Sequence, residues 1–201
     1  EFLEHAPAQF LEKFKTLLKN VNRARIGTMK KFEIHMHSTF SDGEFSPTRL
    51  VDIAKRNGVS ELSLTDHDTF GGIQEFIAAA NAEGIFAFPG IEITVRYRGF
   101  NLHLLAYFES AESLSDELSN EVMKMASKRE KRMRELICRV NEVIPDKFRG
   151  TIEYENVRRA AEGVLARPHL AKEMVRLGII PTTRDAFERY LVKYNVEREN
   201  L

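Results

Sequence analysis

The chain has 201 residues, enough to bury a substantial core as one domain or as one domain with an appendage. Its 30 Lys and Arg balance 30 Asp and Glu, so no global field favours nucleic acid or an anionic membrane. A lone cysteine, Cys138, excludes an internal disulfide framework, and neither a secretory signal nor a run approaching the roughly 18 apolar residues of a membrane span is present, so a cytoplasmic location is expected.

In chain order, residues 2–25 read as an amphipathic helix, with Phe10, Phe14, Leu17, Leu18 and Val21 at helical spacing. Residues 1–28 are therefore expected to be a helical appendage, a linker or a packed surface helix. From residue 29 to about 112 the pattern becomes strand and helix in alternation. A strand is expected over 32–37. A helix follows to Asn57, with Ser46 as N-cap, Pro47 in its first turn and Gly58 as its stop. Next come a strand at 61–65, a helix at 72–83 closed by Gly84, a strand at 85–89, a further segment at 92–97 and, after a turn at Arg98-Gly99, a strand at 101–107. Such alternation indicates an α/β sheet or barrel, with polar residues at strand ends as the place for chemistry. From 113 to 143 one long helix is expected, with an apolar stripe of Leu118, Val122, Met125, Met133, Leu136 and Val140. Pro145 ends it, and shorter helices at 154–162, 169–177 and 183–192 complete an inserted helical subdomain over 113–201.

Six side chains stand out for their chemistry. His35 and His37 are two residues apart, a spacing that places both imidazoles on one face of an extended strand. Asp42, His67, Glu92 and His103 follow, most of them at or just after an expected strand. Imidazole and carboxylate together suit divalent Zn, Mn or Fe. A carboxylate can bridge two metals, and Glu92 is the one glutamate of the six. Any single histidine after a strand is more often structural; the set of six weakens that reading sharply.

The motifs His35-Met36-His37-Ser38, Ser41-Asp42-Gly43, Thr65-Asp66-His67-Asp68, Pro89-Gly90-Ile91-Glu92-Ile93 and His103-Leu104-Leu105-Ala106-Tyr107 resemble the successive motifs of the PHP (polymerase and histidinol phosphatase) family. Within it, the long helix and Ala166-Arg167-Pro168-His169 resemble the bacterial branch of nucleotide phosphatases and RNA 5′-exonucleases. The resemblance implies the first half of a distorted (β/α)7 barrel with an inserted helical subdomain. It implies up to three divalent metals, Mn, Fe or Zn. His35 and His37 would hold the first, Glu92 would bridge to a second that is also held by His103, and Asp42 and His67 would hold the third. The implied activity is hydrolysis of phosphate esters of nucleotides or of short nucleic-acid 5′ ends by a metal-bridged hydroxide, since clustered cations lower the pKa of water and neutralise phosphoryl charge. The family's downstream Ala-His-Pro and Ser-Asp-Phe-His-like motifs do not occur in these residues. The missing barrel segment is therefore expected from a longer chain or from a partner chain. Histidinol phosphatase activity, or a catalytically incomplete metal-binding or interaction domain, is the alternative.

Three further residues are candidates for handling substrate. At about 100° per residue from Leu118, Arg129 falls at about 20°, on the apolar stripe, where an arginine needs a partner. It either pairs with a core carboxylate or points into the site and grips phosphate through its planar fork, as the resemblance implies. Arg167 is a second phosphate candidate. His169 either contacts phosphate or protonates a leaving oxygen, or else simply starts a helix in solvent.

Overall fold

The computed structural model describes residues 30–195; the expected N-terminal helix at 2–25 lies outside them. Four strands form one mixed sheet in the order β1 (Lys31–Glu33), β2 (Val59–Leu64), β3 (Phe86–Tyr97), β4 (Phe100–Tyr107). The first three run parallel and β4 returns antiparallel to β3. The helices α1 (Pro47–Arg56) and α2 (Ile73–Ala82) are the crossovers that parallel pairing requires.

Alternation along the strands gives the sheet two unlike faces. Leu62, Leu64 and Ala87 pack with Val51 and Ala54 of α1 and Ile73, Phe76 and Ala80 of α2. Burying Phe76 alone contributes about 1.5–3 kcal/mol. On the other face Glu61 lies opposite Phe86, and Ser63 opposite Phe88. Glu92 has the same parity as these two phenylalanines, so the strand that stacks them also carries the carboxylate midway along its length. α1 starts where expected: Ser46 accepts a hydrogen bond from Arg49 N, a cap worth about 1 kcal/mol.

The second region is helical. α3 (Asp116–Val143) begins with Ser115 accepting from Leu118 N. Two short helices and a longer one follow: α4 (Tyr154–Arg159), α5 (Arg167–Arg176) and α6 (Thr183–Ala186), with a π-helical turn at Phe187–Leu191. Met133, Leu136, Val140, Ile144, Leu170 and Met174 are central to its apolar core. This region has its own core, yet the described residues from Lys31 onward form one compact unit. Among the described residues no helix is long and apolar enough to cross a membrane.

The structure departs from the expected elements at three main places. The first strand stops at Glu33, so His35 and His37 lie beyond it. The chain there stays beside β2 through other bonds: Thr65 N donates to Met36 O at 2.9 Å, and Met36 N donates to the Thr65 hydroxyl at 3.1 Å. The expected segments at 85–89 and 92–97 are one strand. It changes partner at Pro89-Gly90, pairing with β2 before that point and with β4 after it. The expected helix at 183–192 turns π-helical after Ala186.

Candidate metal centre

Each donor is set in place by a different piece of backbone. Beyond β1, the Ile34 carbonyl accepts from the Tyr107 hydroxyl at 2.9 Å, which ties the His35 segment to β4. Asp42 sits in a tight turn in which Ser41 N and Gly43 N both donate to Ser38 O at 3.0 Å. Gly43 is required there, because a Cβ would lie 2.0 Å from the His37 carbonyl oxygen. His67 follows β2 and forms an isolated parallel bridge with Glu92. His103 stands opposite Thr94 in the β3–β4 register.

The six side chains converge. Glu92 Oε2 lies 2.9 Å from His35 Nε2 and 3.0 Å from His37 Nε2, while its Oε1 lies 2.9 Å from His103 Nδ1. The Nε2 atoms of His35 and His37 are 3.3 Å apart. His37 Nδ1 is 3.5 Å from Asp42 Oδ1, and His67 Nε2 is 3.8 Å from Asp42 Oδ2. Three overlapping groups result, each with donors within 4.8 Å: His35, His37 and Glu92; His37, Asp42 and His67; His67, Glu92 and His103. Glu92 belongs to two of them.

The donor set fits divalent metal. Imidazole nitrogens facing one another at hydrogen-bond distance share one proton at most, so lone pairs point into a common space. The Nδ1 atoms of His37 and His67 are buried without a hydrogen-bond partner among the described residues, an arrangement that costs free energy unless something else satisfies them. The electrostatics agree. Burial pushes the Glu92 carboxyl up, but the His35 hydrogen bond and the imidazoles of His67, His37 and His103 outweigh it and hold it below the usual carboxylate range. Burial drives the His67 imidazole down to about 4, with the Arg129 charge adding to the effect, so the ring is neutral and able to ligate at pH 7.

A cavity of about 250 Å³ opens beside the cluster. Asp42, His67 and His103 line one side. The other side comes from the helical region, with Arg129, Arg132 and Arg167 above an apolar wall that includes Met133, Leu165 and Phe187.

The three substrate-handling candidates are placed differently from one another. Arg129 borders the cavity but is only 8% exposed. Its Nε donates to Asp68 Oδ2 at 2.5 Å and its Nη2 to the Thr94 hydroxyl at 2.9 Å. The carboxylate partner that such a position demands is thus an aspartate beside a metal motif. Arg167 is partly buried, with its guanidinium 5.6 Å from the Phe187 ring centroid. His169 is buried rather than solvated and is not among the residues lining the cavity; its Nδ1 accepts from Ala166 N at 3.0 Å, a reciprocal cap on the start of α5. Burial holds its imidazole below the ordinary value, partly offset by the Ala166 carbonyl oxygen 3.2 Å from Nδ1, which favours a protonated ring.

The sequence did not single out Asp66, Asp68, Ser38, Ser41 or Thr94, all of which are buried around the donors. The available signal was two aspartates flanking His67, a charge density that a strand end in solvent does not need.

Comparison with known proteins gives a consistent picture. The PHP domain family is matched over residues 33–187. A 5′-3′ exoribonuclease of Haemophilus influenzae is 34% identical, over 81% of this chain and 57% of that protein. A 3′,5′-nucleoside bisphosphate phosphatase of Chromobacterium violaceum is 28% identical, over 81% of this chain and 55% of that protein. The chain spans about half the length of the curated relatives it matches. A crystal structure described as a metal-dependent phosphoesterase from Bifidobacterium adolescentis superposes with a TM-score of 0.74 at 26% identity, covering 85% of this chain and 59% of that one. An amidohydrolase from Chromobacterium violaceum, solved with bound sulfate, gives 0.69 at 27% identity over 80% of this chain and 55% of that one. The mixed sheet and its helices correspond to a half-barrel of these folds.

Proposed function

Because the chain belongs to the PHP domain family, we propose that it carries the metal-binding half of a phosphoesterase acting on phosphate esters of nucleotides or on short nucleic-acid 5′ ends. The observation that carries this reading is the joining of six imidazole and carboxylate donors to a cavity faced by three arginines. One group supplies metal ligands and the other suits a phosphate. The relatives named for exoribonuclease and bisphosphate phosphatase activity support the nucleotide, and the neighbour with bound sulfate supports a tetrahedral anion.

In this reading His35, His37 and Glu92 hold one metal, Glu92 and His103 another, and Asp42 with His67 a third. Divalent ions bound there supply a strong Lewis acid and a water acidic enough to ionise near pH 7. The chain's own residues do the rest. Arg132 and Arg167 bind the phosphate oxygens from the helical side. Arg129, held by Asp68 and Thr94, adds a fixed positive charge at the cavity wall. His169 fixes the start of α5 and so places Arg167. Met133, Leu165 and Phe187 offer an apolar surface to the base or sugar and exclude water from it.

The test is phosphate release by the protein carrying this chain. It is stripped with chelator and reloaded with Mn, Fe or Zn, and offered a 3′,5′-bisphosphonucleotide, a 5′-phosphorylated oligonucleotide and histidinol phosphate. Metal-dependent release from the first two is expected. Release that survives chelation, or release from histidinol phosphate alone, contradicts the reading.

A further inference from the structure

Two buried aspartates flank His67, and neither belongs to the six donors. Asp66 and Asp68 are each 1% exposed. Asp66 Oδ1 accepts from Ser38 N at 2.6 Å and from the Ser41 hydroxyl at 2.5 Å, while its Oδ2 accepts from the Ser38 hydroxyl at 2.5 Å. Those two serines bracket the turn that separates His37 from Asp42. Asp68 Oδ1 accepts from Thr94 N at 2.7 Å and its Oδ2 from Arg129 Nε at 2.5 Å. The N–H of Asp68 donates to Glu92 O at 3.0 Å, and its backbone sits at φ 49°, a left-handed conformation that a non-glycine residue keeps only where its surroundings over-determine it. Every segment that carries His37, Asp42, His67 or Glu92 is therefore bonded to one of two side chains within a single tripeptide.

We propose that Asp66 and Asp68 are positioning residues of the metal centre. Asp66 holds the His37–Asp42 turn to His67. Asp68 holds the Glu92 strand to His67, and Arg129 extends that hold to α3. The proposal rests on the metal reading above. It also makes an asymmetric prediction from hydrogen-bond chemistry. An asparagine at 66 keeps an oxygen for Ser38 N, and the Ser38 hydroxyl can turn to accept from the new amide. An asparagine at 68 presents an N–H₂ to an arginine N–H that can only donate. The isostere therefore rescues position 66 and fails at position 68.

The experiment titrates the chelator-treated protein carrying this chain with Mn²⁺ alone, reading free Mn²⁺ by electron paramagnetic resonance, and records melting in chelator for each variant. Asp68→Asn, Arg129→Met and Asp66→Ala are expected to weaken Mn²⁺ binding about 10–100-fold, the range for groups that orient ligands. Asp66→Asn is expected to stay within a few-fold of wild type. Glu173→Gln weakens the paired hydrogen bonds between the buried Glu173 and the exposed Arg176 in α5; it is expected to lower the melting temperature and leave Mn²⁺ affinity unchanged. If Asp68→Asn fails to fold, Thr94→Val removes only the hydroxyl that accepts from Arg129 and is expected to cost a few-fold in affinity. Wild-type Mn²⁺ affinity in the Asp68, Arg129 and Thr94 variants overturns the proposal and leaves the metal reading intact. So does an affinity loss that Glu173→Gln shares, because the effect is then one of general folding. A wild-type chain that binds no Mn²⁺ overturns the metal reading itself, and the proposal with it.

Discussion

The sheet region and the helical region bury different things. Between Lys30 and Tyr107 the buried polar side chains are Ser38, Ser41, Ser63, Thr65, Asp66, Asp68, Glu92 and Thr94, most of them packed around the donors. Beyond Tyr107 they are Arg129, His169 and Glu173, in a region dominated by a larger apolar cluster. Burying acids and hydroxyls costs stability unless each is bonded, so the sheet region gives up apolar core for a preorganised site. The helical region supplies a firm apolar body and reaches back at two places. One is Arg129 on Asp68. The other is the Phe40 loop, where Val164 N donates to Phe40 O at 2.9 Å and Glu162 bonds Thr39. Gly163 is needed for that approach, since a Cβ there would lie 2.0 Å from Phe40 O. The two regions thus divide the work: the sheet region holds the donors, and the helical region supplies the apolar body and the arginines that face the cavity.

That division can be broken or sharpened by mutation. The largest expected effect is Leu170→Ala, in the fully buried helical core, which should destabilise by about 2–5 kcal/mol. Chemical denaturation should show one transition shifted to lower denaturant, with metal affinity of the folded chain unchanged. Two separate transitions would contradict a single compact unit. Next is Glu92→Gln. The amide keeps the shape but loses the charge that serves two donor groups, so metal affinity should fall by more than about 100-fold, the upper range for groups that only support a ligand. Calorimetric titration reads this directly.

A smaller effect is expected at the border between the regions. Arg167→Ala should weaken substrate or phosphate binding by about 10–100-fold, the equivalent of one charged hydrogen-bonded contact. Metal affinity should not move, and a change in KM with little change in melting temperature is the signature. The smallest effect is Ser46→Ala, which removes the cap of α1 and should cost about 1 kcal/mol with no change in metal or substrate binding.

Much of the sheet region was legible in the sequence, for physical reasons. Ser46-Pro47 and Gly58 punctuate α1, and the strand and helix alternation places the histidines and acids on or after the strands. The six donors converge because His35, His37, Asp42 and His67 follow β1 and β2 while Glu92 and His103 lie within the paired β3 and β4 of the same sheet. What the sequence did not yield is long-range. The first strand ends at Glu33, and beyond it Met36 stays beside the end of β2 by bonding both the backbone N–H and the side-chain hydroxyl of Thr65 in place of a regular ladder. The partner of Arg129 was expected to be a core acid or a phosphate, and helical periodicity placed the arginine on the buried stripe without naming Asp68, which lies 61 residues away. His169 was expected in solvent or on substrate; its Nδ1 instead caps its own helix, a local bond that Ala166-Arg167-Pro168-His169 permits but does not announce. The break at Ala186 has no counterpart in the periodicity of residues 183–192.

The central claim is that Glu92 and the surrounding imidazoles form a divalent-metal centre. It is tested most directly by calorimetric titration of the metal-free chain with Mn²⁺ or Zn²⁺, wild type against Glu92→Gln. The account predicts saturable binding in the wild type that the substitution weakens by more than about 100-fold. Equal affinity in the two chains, or no binding in either, would contradict it.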